Sequence, residues 1–452
     1  MTTTLVSPNL TVPEKAHYIA DFELFNKNGA TVAPAWVRQL RQKGFARFAE
    51  MNFPTMKDEE WKYTSVAPIV KVPFRLAVEY PSGVLAKTEI EGRFFGQPGW
   101  PRLVFVNGIF SRELSSISGL PKGVLVKSLG EALKENPELV EPYLGKYARL
   151  DDSIFAALGT AFLQDGAFVY LPTGVVLEKP AHLLFVSTAE KEATVVHPRI
   201  LVVAEAGSRG TVIENHFGKS GQPYFSNVVT EIVVGEEASV EHYKLQREDE
   251  NGFHIATTEV FQKRASRYAG FTLDAGAQLG RNTHRVVLDG PEVDCRLNGL
   301  YFAAGKQHID NHTAIEHRFP NGKSFEVYKG IVDGRARAVY NGKVFVRQAA
   351  QKTDSKQTNK NLILSDLATV DTKPQLEIFA DDVKCTHGAT VGQLDESAIF
   401  YLTARGISRP NAARLLTFGF ANDVLNHIEL EPMRVELEAE LLARLEASSV
   451  AK

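Results

Sequence analysis

The stretch Leu201-Val-Val-Ala-Glu-Ala-Gly-Ser208 has a second version 31 residues on, at Ile232-Val-Val-Gly-Glu-Glu-Ala-Ser239. Each opens with an aliphatic run suited to a strand and closes with the small and acidic residues of a turn. Phe271-Thr-Leu-Asp-Ala-Gly-Ala277 reads as a third copy. A strand–turn unit of this kind cannot bury its own apolar face, whereas stacked copies bury one continuous core. Spacing alone leaves two folds open: a β-solenoid, and a sandwich or barrel with chance similarity.

The flanking sequence supports strands from about 165 to 390. Asp-Gly or Asn-Gly recurs at Asp289, Asn298, Asn321, Asp333 and Asn341, and these pairs suit the positive φ of tight turns. Between them lie Val286-Val-Leu288, Phe325-Glu-Val-Tyr328, Ala338-Val-Tyr340 and Val344-Phe-Val346. Before this region, residues 1–150 mix patterns. Trp36, Leu40, Phe45, Phe48 and Met51 read as one apolar helix face opening at Pro34, and Leu103-Val-Phe-Val106 with Asn107-Gly108 as a strand and turn. Short helices are expected over 129–139 and 154–162. After residue 394 the period becomes helical. A helix from Glu396 to Ala404 ends near Gly406, Ser408 and Pro410 open a second, and Met433, Leu437, Leu441 and Leu445 form the stripe of a third. Ala413, Leu416, Phe420, Val424 and Ile428 are the expected apolar positions of the second helix, widened by Leu415 and Phe418. These helices either fold back on the strands or meet another protein.

Composition narrows the function. A net charge of -3 and a pI of 6.5 lack the basic excess of a nucleic-acid binder. The two cysteines, Cys295 and Cys385, make no disulfide framework. With no basic–apolar leader and no apolar run long enough to span a bilayer, a cytoplasmic protein is expected. The P-loop, the dinucleotide fingerprint, the G-x-S-x-G elbow and paired CxxC motifs are all missing. Asp381 and Asp382 are the tempting carboxylate pair for a solenoid enzyme acting on polysaccharide, but neighbours on a strand face opposite ways.

Two polar clusters remain. His308, Asp310 and His312 share one strand face, which suits either a metal site or a ladder of mutually satisfied polar side chains, the commoner fate of buried polar groups. In Asp381-Asp-Val-Lys-Cys385-Thr-His387-Gly-Ala-Thr-Val-Gly392, Cys385 and His387 project from the same side of an extended chain. Thiolate and imidazole suit iron, iron–sulfur or zinc. Lys384 is expected to favour the thiolate.

At this motif the chain resembles the SufD family. The matching elements are ADDVKCTHGATVG from Ala380, QHIDNHTAIEH from Gln307, ARAVYNGKVFVR from Ala336 and TDSKQTNKNLILS from Thr353. EEWKYT at Glu59, Phe400-Tyr-Leu-Thr-Ala-Arg-Gly-Ile-Ser408 and Phe418-Gly-Phe420 are also similar. The resemblance implies a mainly β protein. Its right-handed parallel β-helix core, at 151–393, would lie between an N-terminal, largely helical domain (1–150) and a C-terminal helical domain (394–452). It implies a non-catalytic subunit of an iron–sulfur cluster assembly complex, paired with a SufB-like paralogue and bound to a SufC-like ABC-type ATPase. Pro410, Leu415, Leu416, Phe418 and Phe420 would lie on the ATPase-facing surface. Cys385 and His387 fall on the family's assembly-site positions, for a transient cluster shared with the partner. A SufB-type scaffold and a purely structural adaptor are the alternatives, and a homodimer of the isolated chain stays open. Ligand counting points the same way. A four-iron cluster takes roughly four protein ligands, usually thiolates, and two cysteines cannot supply them alone.

Overall fold

The computed structural model describes residues 13–28, 33–77, 85–96, 99–189, 191–219 and 221–447. Aliphatic strand runs separated by corners at near-constant spacing wind the chain into a parallel β-solenoid. Successive strands alternate between two sheets, each pairing in parallel with the strand one coil earlier. The first sheet runs through Gly166–Leu171, Arg199–Ala204, Tyr224–Val234, Gly252–Gln262, Leu279–Leu288, His308–His317, Arg337–Val346 and Thr369–Ile378. The second runs from Arg102–Val106 and Val176–Ser187 through Arg209–Gly218, Ser239–Arg247, Arg267–Asp274, Asp294–Ala303, Lys323–Val332 and Asp354–Ile363 to Lys384–Gly392. Inward residues from both sheets, among them Val202, Ile232, Val260, Leu297 and Tyr340, form one long core.

The repeat is real, but its register differs from the sequence similarity by one residue. Val202 pairs with Ile232, and Arg209 with Ser239. A slip of one would turn every core residue outward, so burial of the alternating apolar set decides the register. The third copy is a correction. Phe271–Asp274 belongs to the second sheet, where it leads into the opposite corner. The true recurrence is conformational: one corner takes positive φ in successive coils at Gly207, Glu237, Ala265, Glu292, Asn321 and Lys352.

Asp289, Asn321 and Asp333 lie at corners as expected, whereas Asn298-Gly299 and Asn341-Gly342 lie inside strands. Those glycines make room for buried tyrosines. A Cβ on Gly299 would stand 2.2 Å from a ring carbon of Tyr328, and one on Gly342 would stand 2.3 Å from the Tyr340 hydroxyl.

The solenoid's two ends differ. At its start, antiparallel strands Ile109–Phe110 and Leu125–Ser128 complete the sheets, with the Asn107-Gly108 turn formed as read. Helices Ala16–Asn28, Ala35–Glu50 and Ile154–Ala161 pack along the outer face of the first sheet, against Phe225, Phe253 and Leu279. The second of these buries Val37, Arg41, Gly44 and Phe48. The expected single face is split, with Trp36 and Leu40 against one cluster and Phe45 and Met51 against another. Over 129–139, the expected helix breaks at Asn136 into Leu129–Glu135 and Pro137–Val140.

The C-terminal helices Glu396–Thr403, Arg409–Leu425 and Glu431–Ala447 fold back on the second sheet. Met433, Leu437, Leu441 and Leu445 are all buried against Leu273, Leu300 and Phe302 with Val424 and Ile428. In the second helix the buried set is Ala412, Thr417, Ala421, Val424 and Leu425, so the stripe is displaced from Ala413, Leu416 and Phe420. Ser408 is its N-cap residue without a side-chain capping bond.

Candidate metal site at the open end of the solenoid

Lys384–Gly392 is the last strand of the second sheet, and its one strand partner is Asp354–Ile363. The register sets Cys385 beside Ser355 and His387 beside Gln357. Ser355 and Gln357 are buried. Cys385 and His387 therefore continue two inward-facing rows past the point where another coil would cover them, roughly 6–7 Å apart along the strand. Cys385 is half-buried and His387 is exposed. Burial pushes the Cys385 thiol above its ordinary value, a hydrogen bond from the Ser355 backbone works against this, and the Asp354 charge adds to it. This corrects the expectation for Lys384, whose side chain leaves the opposite face of the strand and does not activate the thiol. Cys295 is fully buried in the solenoid core and its thiol is held well above the usual range by that burial. One thiol is thus available at the surface. Among the described residues no group of three or more His, Cys, Asp or Glu side chains could hold a metal ion.

His308, Asp310 and His312 do share the outer face of their strand, while Ile309 and Asn311 turn inward and are buried. Each of the three is engaged. Asp310 Oδ2 accepts from Thr64 Oγ1 and from Arg281 Nη1, both at 2.5 Å. His312 Nε2 lies 3.0 Å from Asp310 Oδ1, and His308 Nε2 2.9 Å from Thr64 Oγ1. Trp61 stacks on the Arg281 guanidinium, and Glu59 pairs with Lys373. The neighbouring guanidinium and imidazole hold the Asp310 carboxyl below its usual range despite its burial. This ladder clamps the segment Glu59–Thr64 to the solenoid.

Of the expected partner-facing residues, Leu415 is 53% exposed and, with Phe418, Ile407 and Leu442, lines an apolar groove of about 330 Å³ between the helices. Pro410 and Leu416 are half-buried. Phe420 turns to the solenoid, where Lys329 sits over its ring and donates to its carbonyl. Phe400 and Tyr401, at 74% and 56%, are more exposed than any of these. They were legible only as part of a resembling stretch.

Sequence reasoning missed the polar interior. His216 and His242 flank Glu214 at 2.7 and 3.1 Å, and His242 reaches His284 through the Tyr268 hydroxyl. All five are buried. No local pattern signals this, because the inward positions there are polar and the period-2 alternation disappears.

A parallel β-solenoid flanked by helices defines the fold class, with the Cys385/His387 pair on its final coil. Residues 185–420 match the family model described as the SUF system FeS cluster assembly, SufBD core domain, and residues 13–183 that of the SufBD protein N-terminal region. The chain belongs to the SufBD family of iron–sulfur cluster assembly proteins. It is 36% identical over 405 residues to an iron–sulfur cluster assembly SufBD family protein of Synechocystis, covering 88% of each chain. It is 30% identical over 426 residues to the iron–sulfur cluster assembly protein SufD of Escherichia coli, covering 93% of this chain and 95% of that one. The SufD of Bacillus subtilis matches at 27% over 422 residues, 89% and 93% of the two chains. No helix among the described residues is long and apolar enough to cross a membrane.

Proposed function

We propose that this chain is a non-catalytic subunit of a cluster assembly complex, and that Cys385 and His387 contribute ligands to a nascent cluster completed by a SufB-like partner. The observation that carries the reading is the placement of both side chains on the inward rows of an unfinished last coil. A protein surface meeting this end would bring its own donors toward the same centre. Iron and sulfide are the cargo, and a Cys/His pair supplies too few ligands to retain a complete cluster. Binding of metal would displace the thiol proton that burial favours.

The exposed Phe400, Tyr401 and Leu415 on the C-terminal helices support a second contact, with a SufC-like ATPase. Those helices pack on the same second sheet that ends in Lys384–Gly392. Nucleotide-driven movement of the ATPase would thereby act on the sheet that carries the ligands. The test is reconstitution with SufB-like and SufC-like partners. His387→Ala should leave the complex assembled and abolish cluster build-up, read by visible absorption and iron content. Normal cluster yield from this variant, or a complete four-iron cluster held stoichiometrically by the lone chain, overturns the reading.

A further inference from the structure

The row that ends in His387 continues inward through Gln357 and Glu326. Gln357 is 2% exposed and Glu326 is 1% exposed. Gln357 Nε2 donates to Glu326 Oε2 at 2.9 Å. Gly342 on the facing strand supplies the space: a Cβ there would stand 2.4 Å from Gln357 Nε2. The glutamine is therefore held from below and from the side, and its carbonyl Oε1 is buried with no donor. Leaving a buried amide oxygen unpaired costs about 1–3 kcal/mol, and such an atom calls for an explanation. In-register neighbours on parallel strands lie about 4.8 Å apart, so the imidazole of His387 is within side-chain reach of that oxygen.

A histidine that ligates a metal through one nitrogen nearly always donates the N–H of the other to a protein acceptor, which fixes the tautomer and the ring plane. We propose that Gln357 is the positioning residue for His387, accepting its second ring N–H and presenting the remaining nitrogen to the metal, with Glu326 fixing the amide. This deepens the assembly-site reading and rests on it for its functional half. It asks only for a hydrogen bond and no chemical step. A bare imidazole on an exposed strand would otherwise sample both tautomers and several rotamers, and would lose affinity accordingly.

The test uses the full-length chain and has two readouts. With ¹⁵N-labelled histidine at a fixed pH above imidazole titration, the His387 ring nitrogens should show one dominant tautomer. Gln357→Leu should remove that bias, and the exchanged pair Gln357→Glu with Glu326→Gln, which keeps an acceptor at 357 and the amide–carboxylate hydrogen bond, should restore it. In the reconstituted complex Gln357→Leu should lower cluster yield by roughly 10–100-fold, the usual span for a lost ligand-orienting partner, with recovery in the exchanged pair Gln357→Glu/Glu326→Gln. Thermal melts identify a variant that merely fails to fold, and Gln357→Met then serves in place of Leu. An unchanged tautomer ratio in a folded Gln357→Leu protein overturns the proposal, even if His387→Ala abolishes clusters. A tautomer bias that depends on Gln357, together with normal clusters in His387→Ala, would sink the assembly-site reading and leave the hydrogen bond standing.

Discussion

His317 closes its strand with its ring inside the solenoid, 1% exposed. Its Nε2 lies 2.9 Å from Ser324 Oγ, and Ser324 in turn donates to Ser355 at 2.8 Å. With the serine proton spent on Ser355, Nε2 must carry the imidazole proton and Nδ1 must be bare. Nδ1 is buried with no partner, so a second proton there would be a charge in a dry core. Burial accordingly pushes the His317 pKa down to about 4, while in the unfolded chain it returns to roughly 6.5. The folded state therefore binds fewer protons, and stability from this group is full above about pH 6.5 and drains away as pH falls toward about 4. At pH 5.0 the unfolded imidazole is about 1.5 pH units below its midpoint, at about 1.4 kcal/mol per unit, so the loss relative to pH 7.5 is about 2 kcal/mol. Buried carboxyls such as Asp274 and Glu326, whose pKa values burial raises, change stability in the opposite sense over part of this range. The clean quantity is hence a difference. His317→Gln keeps a group able to reach Ser324 and cannot titrate. Urea unfolding of both proteins at pH 7.5 and pH 5.0 should show the variant gaining about 2 kcal/mol on the wild type at the lower pH. A gap that stays constant to within about 0.3 kcal/mol would refute the dry, neutral imidazole.

Two further outcomes follow from space and exposure. Gly299→Ala should cost about 1–3 kcal/mol by urea unfolding, since the new methyl collides with the Tyr328 ring. Gly388→Ala, on extended backbone with nothing within 4 Å, should be neutral to within about 0.5 kcal/mol; equal costs at both sites would contradict the packing. Alkylation of the native chain should modify Cys385 alone, slowly near neutral pH and faster as pH rises through its elevated pKa. Cys295 should react only on unfolding, and its rapid modification in the native protein would argue against its place in the core.

What could be read from residues alone follows from where the pattern is local. The third C-terminal helix shows its buried stripe at Met433, Leu437, Leu441 and Leu445 because one apolar face meets one apolar sheet. The corners were half legible. Asn321 announces positive φ, but Glu237, Ala265, Glu292 and Lys352 adopt it with side chains that rarely do; stacking against neighbouring coils, and not residue preference, imposes it there. Asn298-Gly299 and Asn341-Gly342 look like turns yet are spacers for buried tyrosines: Tyr328 from the next coil at Gly299, and Tyr340 of the same strand at Gly342. The Cys385/His387 pair was visible as a spacing. Its position at the end of two inward rows was not, because registers of distant strands decide it. Lys384 misled for a simple reason: adjacency in sequence along a strand places two side chains on opposite faces.

The two ends of the solenoid face different physical demands. A stacked repeat exposes unpaired backbone and apolar rows wherever stacking stops, and it needs a cap to avoid pairing with any passing strand. The first coils have theirs in the antiparallel strands Ile109–Phe110 and Leu125–Ser128. The final coil keeps Leu367 and Phe379 exposed at its two corners, at 62% and 58%, with Val391 at 44% on the strand itself. An apolar rim of that kind around Cys385 and His387 is poorly suited to water and equally poorly suited to a wholly apolar cover. On the assembly-site reading proposed above, a partner that buries the rim would also meet the centre, and a soft or borderline metal held with the partner's own ligands would satisfy the thiol and the imidazole together. Partner specificity and metal retention would then depend on the same contact, and that reading predicts that weakening the rim lowers metal retention as well as partner binding.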